Sequence, residues 1–430
     1  MLGLAALIAI VVFVAGLYST SISVGCVLLS VPLQDAGALS IGGTTLTWTK
    51  VVVGAAVLAW LIRMLAEPAD VRLDATSVAF LALVVILMVS VINAQSRGAW
   101  AGEVYRWAIA LVVYLMATSA TRDSRYPAVV VGASAIAVIG ASAIGLGQVI
   151  TSAGPPSFES RGLTRAYGAF GEPNPFAGYL EMTVPLFGAL VVFGSRERYL
   201  ASPGRLGRCS WWLAAVAVCL GGVALAFTQS RGGLVGLSAG VLVILVLQGR
   251  WLRWMAIGGT VLAVALLVVT PLGSQLANGV IGSPGPQQVT PANFAVYERL
   301  AHWKTGVAMV REHPITGIGA GNFSDRYREF AQVWRFRISR GHAHNTYIHM
   351  AAQSGLLGLL CYAGLLGTVA WRLTRSYRHC RNPGHRALIA GACGVTAAVV
   401  VHGFFDYLHV LSLGLQLSVV WAMANLGDGE

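Results

Sequence analysis

At 430 residues, 56% of them hydrophobic and only 11% charged, the chain is too apolar for a water-soluble globular protein of average make-up. Its formal net charge of +12 would suit nucleic acid, but basic loops beside anionic headgroups give the same balance in a membrane protein. Membrane lipids are therefore expected partners, and nucleic acid is not.

Apolar runs of about 17 to 25 residues, separated by short polar breaks, match helices that cross a hydrocarbon core about 30 Å thick. About twelve such runs are expected, near 2–30, 50–65, 77–93, 101–120, 127–151, 173–194, 211–228, 232–249, 253–272, 346–371, 387–404 and 406–425. The fold class is an all-α polytopic membrane protein, a single transmembrane domain over 1–430. One large polar loop, 273–345, is inserted between the ninth and tenth spans. The first run lacks a small-residue cleavage site and reads as a retained helix. The cysteines show no C-x-x-C pair and suggest neither a disulfide framework nor a thiolate metal site.

Loops after alternate spans carry Arg72, Arg122, Arg125, Arg196, Arg198, Arg205, Arg208, Arg250, Arg375, Arg378, Arg381 and Arg386. The positive-inside rule places them, and both termini, in the cytoplasm. The arginines left on the opposite face are more informative. Arg161 and Arg165 lie between the fifth and sixth spans, Arg231 sits in the tight break T-Q-S-R-G-G, and Arg299 opens the ordered part of the large loop. A cation in such a break is costly unless it snorkels or meets an anion. The planar guanidinium fork suits phosphate, so these residues suggest a phosphate or diphosphate ligand at the outer surface.

Pro173 and Pro175 suit the first turn of the sixth span, with Asn174 near its cap. Glu181, inside that span, is expected to have an internal partner. In the large loop, Leu300, Trp303, Val307 and Val310 share one helical face, a second amphipathic helix is expected from Phe323 to Phe336, and both are expected along the membrane surface. The glycines of I-T-G-I-G-A-G-N-F offer a weak phosphate-cradle signal, since the following lysine of a P-loop is missing.

The stretch His342 to Gly358 reads H-A-H-N-T-Y-I-H-M-A-A-Q-S-G-L-L-G and brings polar loop to apolar helix. His342, His344 and His349 are candidates for chemistry there, because an imidazole at a membrane surface is costly without a partner or a role. Asn345 is placed to cap the helix, and His349, one turn on, reads as packing. Few acids are found on the outer face, and no H-E-x-x-H or G-x-S-x-G occurs, so neither a metal site nor a serine nucleophile is expected. No cofactor is implied.

His344-Asn345, then nine residues, then Gly355-Leu356-Leu357-Gly358 resembles the H-[N/S/Q]-x9-G-x-x-G signature of the bacterial O-antigen ligase and polymerase family. Arg165 through Asn174 resembles that family's R-x-x-G-x-F-x-x-P-N segment, and Ser230 to Gly233 its S-R-G-G turn. Arg299, Trp303 and His313-Pro314 through Gly319 are similar to the start of its large periplasmic loop. The resemblance covers roughly residues 160–410. It implies a C-type membrane glycosyltransferase fold in the bacterial inner membrane, with the active site facing the periplasm. The donor it implies is a glycan on undecaprenyl diphosphate, and in ligases the acceptor is a sugar hydroxyl of the lipid A core. On that reading His344 is the base, with His342 second, and Arg165, Arg231, Arg299 and then Arg161 hold the diphosphate; Asn345 and Asn174 support them. Polymerases and protein O-oligosaccharyltransferases share the donor, so the acceptor stays open. A multispan transporter is the rival from another class, but it calls for charges in mid-membrane and broken-helix repeats.

Overall fold

The computed structural model describes the chain apart from residues 1, 35–36, 42–43, 67–72, 161, 194–204, 250–253, 255–293, 340, 411 and 428–430. Its helices, in chain order, are α1 (Leu2–Tyr18), α2 (Thr20–Ser30), α3 (Trp48–Ala66), α4 (Ala75–Val89), α5 (Arg97–Ala120), α6 (Tyr126–Ile150), α7 (Pro173–Glu181) and α8 (Val184–Phe193). They continue with α9 (Arg205–Thr228), α10 (Arg231–Gln248), α11 (Phe294–Glu312), α12 (Phe323–Phe330), α13 (Thr346–His379), α14 (Pro383–His402) and α15 (Leu413–Ala422). Two short antiparallel hairpins, Ala38–Ile41 with Thr44–Thr47 and Glu159–Ser160 with Leu163–Thr164, are the strands among the described residues.

Eight helical stretches among the described residues are long and apolar enough to cross a membrane, so the chain is an all-α polytopic membrane protein. The expected ninth span, 253–272, lies outside the described residues apart from Trp254. The run at 2–30 is divided, because Ser19 is extended (φ −156°, ψ 129°). The run at 406–425 resumes as a helix only at Leu413. The preceding turn folds back on α14, with Phe405 and Asp406 N–H both donating to the His402 carbonyl.

Small residues allow the tightest packing. A Cβ built at Gly240 of α10 would lie 2.6 Å from the Gly394 carbonyl oxygen of α14, and one at Gly236 would meet the Glu181 carboxylate at 2.5 Å. Close backbone approach of this kind is how apolar helices associate where lipid removes the hydrophobic drive between them. Helix α13 lies against α4. At one end Asp74 binds Arg372 and accepts from the Tyr114 hydroxyl at 2.7 Å; at the other, Asn93 Nδ2 donates to the Gly317 carbonyl at 2.8 Å.

Helix α13 is not continuous. Gly355 (φ 70°, ψ −173°) interrupts it, and the loop after α11 fills the break. Leu356 N–H turns to the Pro314 carbonyl, while Ile318 and Gly319 N–H donate to the carbonyls of Ala352 and Gln353. Gly317, Gly319, Gly321 and Gly355 all have positive φ. A Cβ at Gly317 would overlap the Gln353 carbonyl, and one at Gly355 would overlap the Ile315 carbonyl. Glycine is required at both on grounds of conformation and space. This corrects the phosphate-cradle reading: Ala320 and Gly321 N–H bond to Ser90 Oγ and Gln353 Oε1, so the amides of this loop are committed to the protein.

The loop helices also depart from expectation. Val307 is exposed, whereas Ala301, His302, Thr305, Gly306 and Met309 are buried on α11. The buried face is rotated because Gly306 admits Ile348, whose Cγ2 would be 2.5 Å from an added Cβ, and His302 packs on the Tyr327 ring at 4.8 Å. Helix α12 ends at Phe330, not at Phe336. Its Phe323, Tyr327 and Phe330 form a small core with Met309 and Ile318.

Gly355→Ala is expected to cost at least about 2 kcal/mol, from a positive φ plus a backbone clash. A lowered thermal unfolding midpoint in detergent is the check, with Gly364→Ala, which meets nothing within 4 Å, as the unaffected control.

Candidate functional site

Four segments distant in sequence meet at the start of α13. Asn345 is the N-cap, accepting from Tyr347 and Ile348 N–H at 3.0 and 2.9 Å, which is the capping role expected of it. Its Nδ2 donates to the Phe404 carbonyl at 3.1 Å, and Thr346 Oγ1 donates to the Asp406 carbonyl at 2.9 Å. These bonds hold the irregular segment after α14 against the histidine turn.

His344 has a positive φ of 50°, a conformation that few non-glycine residues adopt and that costs on the order of 1 kcal/mol or more. Trp303 Nε1 donates to its carbonyl at 3.2 Å, and its own N–H donates to His342 Nδ1 at 3.2 Å. Held in this way, His344 Nδ1 lies 3.2 Å from Asp406 Oδ1. The carboxylate assigns the proton to Nδ1 and leaves the lone pair on Nε2. In His342, Nδ1 already accepts a backbone N–H, so the neutral ring carries its proton on Nε2. Two adjacent imidazoles, 4.4 Å apart between centroids, thus present a base and a donor.

Asp406 is buried. Besides His344 it accepts from Tyr407 N–H at 2.9 Å and from Asn174 Nδ2 at 3.0 Å. Burial by itself would raise its carboxyl, but the His344 hydrogen bond and the neighbouring imidazoles of His342 and His402 hold it well below the usual carboxylate range. Burial has the opposite effect on His342, pulling the imidazole down to about 4 against the pull of Asp406, with His344, His302 and Arg299 adding to the fall.

Asn174 lies near the cap of its helix, as expected, in the first turn. The N-cap of α7 is Glu172, and the Asn174 amide bridges Asp406 to Arg165, whose Nη2 donates to Asn174 Oδ1 at 3.0 Å. Arg165 Nε donates to the Thr228 carbonyl at 2.7 Å, which ties it to the turn before Arg231. Burial lowers the Arg165 pKa, the charge of Arg299 lowers it further, and Glu172 opposes both. The Nε of Arg299 is buried without a hydrogen-bond partner among the described residues. Two guanidiniums that repel each other, one with an unused buried donor, form a site an anion would relieve.

Of the expected residues, the structure therefore brings together His344, His342, Arg165, Asn174, Asn345 and Arg299. Arg231 is exposed in the first turn of α10, and the adjacent Gly232 packs on the His402 ring, 2.5 Å from an added Cβ. Arg161 lies outside the described residues. His349 is buried as packing, its ring 4.2 Å from Tyr407 and 4.9 Å from Phe323. Glu181 has its internal partner, His402 Nδ1 at 2.9 Å.

Sequence reading missed Asp406. It lies in F-F-D-Y-L-H between two apolar runs, and its signal was an acid among apolar residues at a membrane segment. The buried Glu103, bonded by Arg106 and the Tyr407 hydroxyl, carried the same signal.

The ligand atoms of His342, His344 and Asp406 lie within 4.8 Å of one another, close enough to hold a cation. With both Nδ1 atoms engaged, His342 Nε2 protonated and the carboxylate serving His344, Tyr407 and Asn174, the imidazole lone pair left open in this arrangement is that of His344 Nε2. The arrangement fits an oriented imidazole base beside an anion site better than a metal centre.

Comparison with known proteins agrees with the motif resemblance. Residues 215–363 match the family model described as O-antigen ligase. The matched stretch contains Arg231, Arg299, His342 and His344, while Arg165, Asn174 and Asp406 fall outside it. The exopolysaccharide production protein ExoQ of Rhizobium meliloti (strain 1021) is 24% identical over 250 residues, covering 56% of this chain. The aligned part spans 53% of that relative, about half its length.

Asp406→Asn keeps the shape of the side chain but removes the charge that orients His344. The expected outcome is a loss of about 10²- to 10⁴-fold in kcat with the fold retained, read by steady-state kinetics beside circular dichroism.

Proposed function

We propose that this chain, with its match to the O-antigen ligase family, is a membrane glycosyltransferase that moves a glycan from undecaprenyl diphosphate to a sugar hydroxyl of the lipid A core. The supporting observation is the His344 imidazole, set by Asp406 with Nε2 free, beside the paired guanidiniums of Arg165 and Arg299. The acceptor oxygen attacks the anomeric carbon while its proton passes to His344 Nε2. A carbon–oxygen bond to the acceptor forms as the bond to the diphosphate breaks, and the leaving group departs with its charge on Arg165 and Arg299, with Arg231 at the rim and Arg161 nearby in the chain. One displacement inverts the anomeric centre. Cationic side chains take the electrostatic part, so the reaction is metal-independent. The reading places the protein in the bacterial inner membrane with this site facing the periplasm and both termini in the cytoplasm, in a C-type glycosyltransferase fold.

A second reading keeps the donor and changes the acceptor to another lipid-linked glycan, which polymerises it; the relative named for exopolysaccharide production favours this one. Offering purified enzyme lipid A core, a second lipid-linked glycan and a pilin in parallel separates the ligase, the polymerase and the protein transferase by which conjugate forms.

Transfer is expected to persist in EDTA; loss with rescue by Mg²⁺ or Zn²⁺ would move His342, His344 and Asp406 into a metal centre. His344→Ala should abolish turnover while leaving donor binding within a few fold. Arg165→Ala and Arg299→Ala should each weaken donor binding by about 10- to 100-fold, the scale of a hydrogen-bonded charge, as measured by titration with labelled undecaprenyl-diphosphate glycan.

A further inference from the structure

The donor chemistry lies on the Arg165 side of Asp406, and the other side of the histidine pair opens into a cavity that this chemistry leaves unused. It has a volume of about 390 Å³, and its walls include His342, Gln353, Tyr407, Glu103, Arg106 and Gly102. A second cavity of about 370 Å³, lined by Lys50, Thr47, Gln34 and Tyr105, shares Gly102 and Arg106 with the first. The two cavities adjoin at Gly102 and Arg106 on α5, one bounded by His342 and the other by Lys50 at the start of α3, and together they are termed the groove.

The lining indicates what fits. Glu103 is fully committed: its Oε2 accepts from Arg106 Nη1 at 2.5 Å, and its Oε1 from Trp107 Nε1 at 3.1 Å and the Tyr407 hydroxyl at 2.9 Å. These bonds hold Arg106, whose side chain is 41% exposed, at the junction of the two cavities. The charges of Glu103 and Arg106 offset each other, and the Gln353 amide is taken by Gly321 N–H and His349, so the groove offers the cation of Lys50, the exposed guanidinium of Arg106 as a donor and aromatic faces at Tyr407 and Tyr105. Hydroxyls and acidic substituents are the groups such walls bind, through directed hydrogen bonds and fixed charge.

We infer that this groove is the acceptor site: it holds a glycan bearing acidic substituents, fed past Arg106 so that its terminal hydroxyl reaches His344 from the His342 side. The inference rests on the glycosyl-transfer reading above. It also gives His342 a part in the reaction. His342 lines the groove, and the Nε2–H of its ring can donate to an acceptor oxygen there while His344 takes the proton.

Gly102 provides the test, because a Cβ there meets nothing within 4 Å and it lines both cavities, so Gly102→Leu sets a side chain at their junction from an unhindered Cβ. With saturating undecaprenyl-diphosphate glycan and varied lipid A core, or the second lipid-linked glycan if that is what the wild type uses, the acceptor KM should rise about 10-fold or more. Donor affinity should stay within about twofold. Lys50→Glu, at the far end and remote from the histidines, should raise the acceptor KM in the same way, and serves should Gly102→Leu fail to bind donor. A rise in donor KM instead, or no change in acceptor KM in either variant that binds donor, overturns the inference and leaves the transferase reading in place. A wild type that transfers to none of the acceptors overturns both.

Discussion

The hydrogen bond between His344 and Asp406 is the interaction on which the site depends. It joins a strained turn ahead of α13 to an irregular segment behind α14, and neither would hold its shape alone. A buried carboxylate is tolerable only if its lone pairs are used. Asp406 uses them on His344, on the Tyr407 amide and on Asn174, so three chain segments are fixed by one group. Asn174 then passes the constraint to Arg165, and Arg165 to the turn after α9. His344 and Arg165 are in this way parts of one hydrogen-bonded row.

That row needs a stable platform, which the glycine loop after α11 supplies. By entering the break at Gly355, the loop takes over carbonyls that a continuous helix would have kept for itself. The first part of α13 is thereby locked in direction, and the N-cap at Asn345 with it. The spacing between His344 and Gly355 has a mechanical meaning here: it is the length of helix between the histidine turn and the point where the loop docks.

The two flanks of the histidine pair differ in chemistry. One has two guanidiniums, of which Arg299 keeps an Nε with no partner among the described residues; the other has a groove whose acid is paired with Arg106. A transfer reaction needs this asymmetry, because the leaving group gathers negative charge while the nucleophile loses a proton, and the two events must be served from opposite sides of one carbon. The differing tautomers of His342 and His344 follow the same division.

Much of the site was legible from residues alone. The apolar runs specified a polytopic helical protein, because backbone in lipid has few ways to satisfy its polar groups. Histidines and arginines stranded at one surface stood out, since charge at a membrane is kept only for cause, and among them His342, His344, Arg165 and Arg299 are the ones the fold brings together. Local rules also decided the Asn345 cap and the packing role of His349. What local rules could not decide was partnership across the chain. Asp406 reads as part of a span until the fold shows that the segment around it is irregular and faces a histidine 62 residues away. Asn174 reads as a residue near a helix cap, and only the fold shows Arg165 and Asp406 closing on it from either side. The buried face of α11 was misjudged because its apolar stripe says nothing of where a glycine admits a neighbour. Sequence determined which groups are costly enough to need a reason; only the tertiary structure decided which partner supplies it, because hydrogen bonds act over about 3 Å of space and ignore distance along the chain.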